Sequence, residues 1–460
     1  MENQELTNDR REFLKTSLKL WLGAIISGSL ISTLTWCSDG NDEKDNSWRK
    51  YFNNKYYKEL KELKGNALIE SNILLEEMPT AYDNIIYAKS VANAKNIQSA
   101  DVYKDCINMM KIDSKIKQYA QRFWIPYSKL VWLIMLESSG KATAWSKWWC
   151  YWYCQLNRPM AKRYGAIVNG KDYRDNIDYA LTACCRFLTD MHKRYDDENR
   201  SLAFAWYHMG ETHMWHILKA ARAESDSVNT FQDVLWVNTK KLATTIMSLQ
   251  DESYKYYPRL LAAGRVFNDF KNNRSKFNHT LQEYIDMPIS RKPSLAEEYI
   301  WFGENQFETF QDVKDNMEDK KLYGLKNNNK IIYHQVGTLT KDEEKKELLK
   351  MTTPCVLWLI NLVASHFDKT LKVNSLTRPQ EYNDLVYRNK WSNVKNKRTS
   401  HATWYTVDFW LFDRKDDTNH LAYLLYMLEC QWKISFLKER DHFHININPK
   451  FKKYFENLID

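Results

Sequence analysis

From Ile116 to about Ala263 apolar residues recur three and four positions apart with few breakers, and this periodicity is the strongest constraint on the chain. It dictates amphipathic helices packed on one another, because a strand requires alternation at every second residue. Turn signals at Ser139-Gly140 and between Gly165 and Gly170 cut the stretch into separate helices. One of them reads "IPYSKLVWLIMLESSG", opened by Pro126 and closed at Gly140, with Leu130, Leu133 and Ile134 on one face. Glu137 follows Ile134 by three and Leu130 by seven, so it lies on the stripe that packs inward. A carboxylate placed there loses solvation, and its pKa rises toward the range of a general acid. On pattern alone a plainer reading is stronger: a glutamate at a helix C-terminus that reaches solvent or pairs with an arginine.

The 460 residues, 44% of them apolar, suffice for two or three domains, each with its own core. Residues 1–37 read as an address. "NDRREFLK" resembles a twin-arginine export signal through Arg10, Arg11, Phe13 and Leu14, and an apolar run from Leu20 to Thr35 follows. "LTWC" then resembles the end of a lipoprotein signal with Cys37 acylated, although Trp36 stands where a small residue is expected; an uncleaved N-terminal anchor is the other reading. Both place the protein outside the cytoplasm, membrane-anchored, in a periplasm or at the cell surface. Residues 38–115 form a polar tether and helical lead-in, 116–265 the helical domain, and 266–350, with "LKNNNK" and "KDEEKK", a charged linker region. In 351–460 short alternating runs such as "YTVDFWLF" and "HFHININ" are separated by helices, which predicts a small α+β domain. A net charge of +9 suits anionic partners without choosing among them, since no block of Lys and Arg stands out. Beyond Cys37 the seven cysteines lack paired C-x-x-C spacing and support neither a zinc finger nor a disulfide framework.

The blocks "IPYSKLVWLIMLESSGKATAWS", "CQLNRPMAKRYG", "DNIDYA", "RFLTDMHKRY", "LAFAWYHMGET" and "DESYKYYPRLLAA" follow one another in an order and spacing that resemble the lytic transglycosylases, relatives of goose-type lysozyme, over about 120–263. The resemblance implies a multidomain chain in which a mainly α lysozyme-like domain precedes the α+β domain. It overturns the plainer reading of Glu137, which matches the family's catalytic Glu, while Gln155 and Tyr207 match residues that line its sugar cleft. His208 stands where the family has Asn. The implied reaction is non-hydrolytic cleavage of the glycan bond between N-acetylmuramic acid and N-acetylglucosamine. One acid suffices for it, because the same carboxyl protonates the glycosidic oxygen and then, as carboxylate, takes the proton of the muramoyl 6-hydroxyl as the anhydro ring closes. No cofactor is implied for this domain; the partner is peptidoglycan, not nucleic acid.

A second constellation lies in the C-terminal part. His401 precedes Asp408 by seven residues, and His442 and His444 are two apart, so that in a strand both imidazoles share a face. Two His and a carboxylate with an open position form a catalytic zinc set. With "SLTRPQEYN" upstream, the pattern over about 351–450 resembles zinc peptidases of the D-alanyl-D-alanine carboxypeptidase and murein endopeptidase type. That resemblance implies Zn2+ on His401, Asp408 and His444, a base at His442 or at Glu439 three residues before it, and Arg378 holding a substrate carboxylate. A metal-free domain that only binds wall peptide is the alternative.

The departures from these patterns share one feature. Trp36, Trp124, Trp149, Trp152 and Trp404 stand where the patterns have glycine or another small residue. The chain has 12 glycines and 18 tryptophans, against roughly 32 glycines at average usage. An indole in such a tight place overpacks, costing about 1–3 kcal/mol. The expectation is a gene that uses UGA for glycine and is written here with tryptophan. Genuine tryptophans at these places would instead mean a diverged, catalytically inactive wall-binding or scaffold lipoprotein.

Overall fold

The structure, a computed structural model, describes residues 81–448 apart from 287–306, 318–321, 335–339, 388–398 and shorter breaks. The expected signal with Trp36 and Cys37, most of the tether, and Trp149 lie outside the described residues. These residues form two compact units, 81–286 with 413–430 and 307–412 with 433–448. Among the described residues no helix is long and apolar enough to cross a membrane.

The helical unit contains α1 (Ala81–Ser90), α2 (Asp101–Arg122), α3 (Tyr127–Glu137), α4 (Arg158–Tyr164), α5 (Ile177–Tyr195), α6 (Ser201–Met209), α7 (Glu211–Arg222), α8 (Phe231–Trp236), α9 (Lys240–Met247), α10 (Tyr256–Asn272) and α11 (Arg274–Asp286). A hairpin of Ile167–Val168 with Lys171–Asp172 separates α4 from α5. The apolar stripe of α3 is as the spacing predicts: Leu130, Leu133 and Ile134 have no exposed surface. Each such burial is worth about 1.5–3 kcal/mol. The stripe packs α3 against α2 and α10.

Two glycines set how closely these helices approach. Gly140 has φ of +72°, and a Cβ there would lie 3.1 Å from the Met109 backbone nitrogen of α2, so the turn after α3 presses directly on that helix. At Gly264 of α10 a Cβ would fall 2.1 Å from the indole of Trp132 on α3. Only a hydrogen fits beneath that ring.

Residues 413–430 were expected in the C-terminal α+β domain, and the structure places them in the helical unit instead. The helix Lys415–Cys430 is buried from Asp417 to Cys430 at every position but His420, so it needs neighbours on all sides. It finds them against α9. Its Glu429 meets Lys255 at 3.5 Å, both side chains only 1% exposed, and also accepts the Tyr82 hydroxyl of α1. The helical unit thus draws on two distant stretches of chain, 81–286 and 413–430.

Residues 266–350 likewise depart from a linker. They include the end of α10 and all of α11. Farther on, Phe307, Phe310, Val313, Leu322, Leu348 and Met351 pack into one apolar cluster with Tyr382 and Trp404. The short apolar runs between the charged stretches supply that core, which periodicity alone did not reveal. The sheet of this second unit has strands β1 (Ile331–Tyr333), β2 (Leu371–Ser375), β3 (Thr406–Trp410), β4 (Ile434–Lys438) and β5 (His442–Ile447), in the order β1-β2-β3-β5-β4. The β1–β2 pair is parallel and the others antiparallel.

Two stability measurements check this packing. Gly264→Ala should lower unfolding free energy by about 1–3 kcal/mol through overpacking against Trp132; a neutral effect in denaturant melts would mean the helices are not held together there. Glu429→Ala strands the Lys255 ammonium in the interior and should cost about 3–5 kcal/mol, far more than an exposed-site substitution.

Candidate functional site

Glu137 ends α3 and is half-buried. Its carboxyl accepts a hydrogen bond of 2.6 Å from the Tyr256 hydroxyl at the first turn of α10. Burial raises its pKa to about 7, against the lowering pull of that hydrogen bond. At neutral pH the group therefore populates both the acid and the carboxylate, which a residue that must first give and then take a proton requires. The Tyr256 hydroxyl is itself pushed well above its ordinary range by burial and by the Glu137 charge. His208, where an asparagine was expected, stacks on the Tyr256 ring at 4.5 Å and 10°.

The turn from Trp152 to Leu156 is tied down through its carbonyl groups. Ser138, next to Glu137, donates its hydroxyl to the Tyr153 carbonyl at 2.7 Å. Tyr207 of α6 donates to the Cys154 carbonyl at 2.6 Å, and buried Arg174 to that of Leu156 at 2.6 Å. Gln155, at φ of +46°, turns its amide back onto the Trp152 carbonyl at 3.0 Å. Tyr207 lies close enough to Glu137 that, after burial and the Cys184 and Cys154 thiols, the Glu137 charge adds to the rise in its pKa. Glu137, Tyr207 and the Gln155 turn thus share one neighbourhood, and Gln155 and Tyr207 meet through the turn's backbone. Tyr256 and Ser138 were missed as functional residues. Each sat inside a quoted block, and an aromatic hydroxyl at the start of a helix that packs on α3 was the available signal.

In the second unit Asp408 of β3 pairs in register with His444 of β5, and the 3-10 turn Ser400–Thr403 supplies His401. His401 Nε2 lies 3.1 Å from Asp408 Oδ2 and His444 Nδ1 2.8 Å from Oδ1; one donor atom from each of the three falls within 4.8 Å of the others. His401 Nδ1 faces the Leu376 carbonyl at 2.7 Å, which can only accept, so that nitrogen carries the proton. Burial lowers the His401 pKa to about 4 despite the raising pull of Asp408, so the ring is neutral at pH 7 and Nε2 presents a lone pair. Burial alone would raise Asp408, but the facing imidazoles outweigh it and hold the carboxyl well below its usual range. A lone pair and a carboxylate oxygen at 3.1 Å repel unless a cation sits between them, so the donor set fits a metal ion.

The other expected members of that site surround it. Arg378 donates to Ser375 Oγ at 2.6 Å and lies 3.9 Å from Asp408. His442 shares the face of His444, with Nε2 4.0 Å from Asp408 and 3.4 Å from Glu439, and Nδ1 2.7 Å from Asp441. Both base candidates, His442 and Glu439, therefore stand side by side.

The hydrogen bond at Glu137 carries a signed prediction. If Glu137 is the general acid that its match implies, loss of the acid form makes kcat/KM on glycan fall as pH rises through about 7. Tyr256→Phe removes a donor that favours the carboxylate, so the alkaline limb should move to higher pH; a limb that stays put would detach Tyr256 from Glu137.

No curated protein matches the chain. Over residues 114–229 the chain matches the family model described as Transglycosylase SLT domain, and that stretch contains Glu137, Gln155 and Tyr207 but neither Tyr256 nor the second unit. Residues 114–229 of the helical unit are thus similar to the lysozyme-like lytic transglycosylases of peptidoglycan, and Glu137, Gln155 and Tyr207 lie inside the similarity.

Proposed function

We propose that the protein is an exported, membrane-tethered lytic transglycosylase that cuts the N-acetylmuramic acid to N-acetylglucosamine bond of peptidoglycan and leaves a 1,6-anhydro-muramoyl end. The observation that carries this reading is a single carboxyl, Glu137, which lies within the stretch matched by the transglycosylase model and is poised near neutrality beside the Tyr256 hydroxyl. Protonated Glu137 gives its proton to the glycosidic oxygen, and the N-acetylglucosamine leaves with a free 4-hydroxyl. The muramoyl C1 then accepts its own 6-hydroxyl oxygen, whose proton returns to Glu137. No water enters, and the enzyme ends as it began. Tyr256 steadies the carboxylate stage, and the pinned 152–156 turn offers a fixed wall for the sugar. Incubation with sacculi should release anhydro-muropeptides identifiable by mass, and Glu137→Gln should lower the rate by about 100-fold or more. Reducing-end products instead would mean hydrolysis, and full activity in the variant would remove Glu137 from the reaction.

A second activity rests on the contact of two acceptors between His401 and Asp408. In this reading His401, Asp408 and His444 hold zinc, which when bound acidifies water and polarises a peptide carbonyl. His442 or Glu439 handles the proton, and Arg378 faces a substrate carboxylate. Elemental analysis of the full-length protein should find about one zinc per chain, lost on His401→Ala. Protein that takes up no zinc in titration would leave a peptide-binding domain.

A further inference from the structure

Helices α7 and α9 enclose a groove of about 580 Å³ that no step above uses. Its rim carries His213, His216, Lys219 and Lys241, and no acidic residue lines it. Among the described residues none of the four has an ion-pair partner, although their neighbours do. Glu211, at the start of α7, meets Arg194 at 2.9 Å and Arg163 at 3.6 Å, and Lys240, beside Lys241, meets Asp417 at 2.6 Å. The two unneutralised ammonium groups, Lys219 and Lys241, repel one another across one concavity and are relieved by an anionic ligand, to which the two imidazoles can add hydrogen bonds. The rest of the lining narrows the ligand's chemistry. Ile217 and Leu249 give apolar surface. Thr245 donates its hydroxyl to the Lys241 carbonyl at 2.9 Å and Ser248 to the Thr245 carbonyl at 2.7 Å, which leaves their oxygens free to accept from amide N–H groups.

We propose that this groove binds a carboxylate-bearing peptide, which, on the function proposed above, is the stem peptide of the wall. Carboxylates meet the cations, amides meet the hydroxyl oxygens and alanine methyls meet the floor; a bare phosphate polymer would satisfy only the first. The test is calorimetric binding of a synthetic stem peptide, without glycan, to the full-length protein, so that the result does not depend on whether any glycan bond is cut. Lys219→Ala with Lys241→Ala should weaken binding at least tenfold with an unchanged melting temperature, and Lys→Arg at both positions should restore it. No binding to the unaltered protein, equal binding by the double variant, or tighter binding of polyphosphate than of peptide would each overturn the assignment.

A different observation concerns the chain itself. Trp124, Trp152 and Trp404 have φ of +55°, +62° and +51°, in the left-handed region that bulky side chains avoid; the only other non-glycine residues there among those described are Ser139, Gln155, Asn169 and Arg200. At the end of α2 the Ile125 amide bonds the Ala120 carbonyl at 2.9 Å and the Trp124 amide that of Gln121 at 3.3 Å. This is a Schellman motif with Trp124 in the place where glycine ends helices. The indole gains nothing in return, being 87% exposed. Trp404 is packed on Phe307, yet its buried Nε1 has no hydrogen-bond partner. We infer that residues 124, 152 and 404 are glycine in the native protein, encoded by UGA read as glycine in the host. The gene should carry UGA at all three positions, and peptides spanning residues 124 and 152 from protein made in its own host should have the glycine mass. UGG at any of the three, or tryptophan in those peptides, would overturn the inference. In tryptophan-containing protein, Trp124→Gly should raise the melting temperature more than Trp124→Ala; equal effects would show that the backbone does not demand glycine.

Discussion

The helical unit depends on the seating of α3 against α10, with the Trp132 indole lying over Gly264. The contacts Trp132–Gly264 and Glu137–Tyr256 run in opposite senses along the two helices, so the helices are antiparallel. The packing that excludes a Cβ at Gly264 also brings the end of α3 to the start of α10. Core packing and the surroundings of the Glu137 carboxyl are therefore set by one interface, and a loosening at Gly264 is felt two helical turns away at Tyr256.

The same interface explains how one carboxyl can serve in two protonation states. Partial burial pulls the Glu137 pKa up and the Tyr256 hydroxyl pulls it down, leaving it near 7. His208 backs that tyrosine by stacking. Beneath Tyr256 in sequence, Lys255 is held in the interior by Glu429 and ties the start of α10 to a helix from far along the chain. The unit that carries Glu137 is thus completed by residues 413–430, outside the stretch similar to the transglycosylase domain.

Much of this was legible in the sequence. The three-and-four spacing of Leu130, Leu133, Ile134 and Glu137 yields the inward stripe, because helical periodicity is local, whereas the choice of Glu137 as a perturbed acid rested on the resemblance of the surrounding blocks. The two-residue spacing of His442 and His444 places both on one strand face, again a local rule. The crossing helix was not legible: its burial on all sides appears in sequence only as an apolar run, and the buried Lys255–Glu429 pair joins residues with no local relation. Tyr256 escaped for the same reason, since its partner lies across an interface. The segment 266–350 was misread because charge dominates its composition, while Phe307, Phe310 and Leu348 meet only in three dimensions. Composition showed the shortage of glycine and excess of tryptophan, the family patterns singled out Trp124, Trp152 and Trp404, and their backbone angles supply the physical reason.

The central claim is that Glu137 is a carboxyl held near neutrality by its surroundings. Infrared difference spectroscopy of the protein against its Glu137→Gln variant isolates that one group. The account predicts a protonated carboxyl band that converts to carboxylate around pH 7. A group already fully ionised at the ordinary pKa of a solvated glutamate, about 4.3, would contradict it.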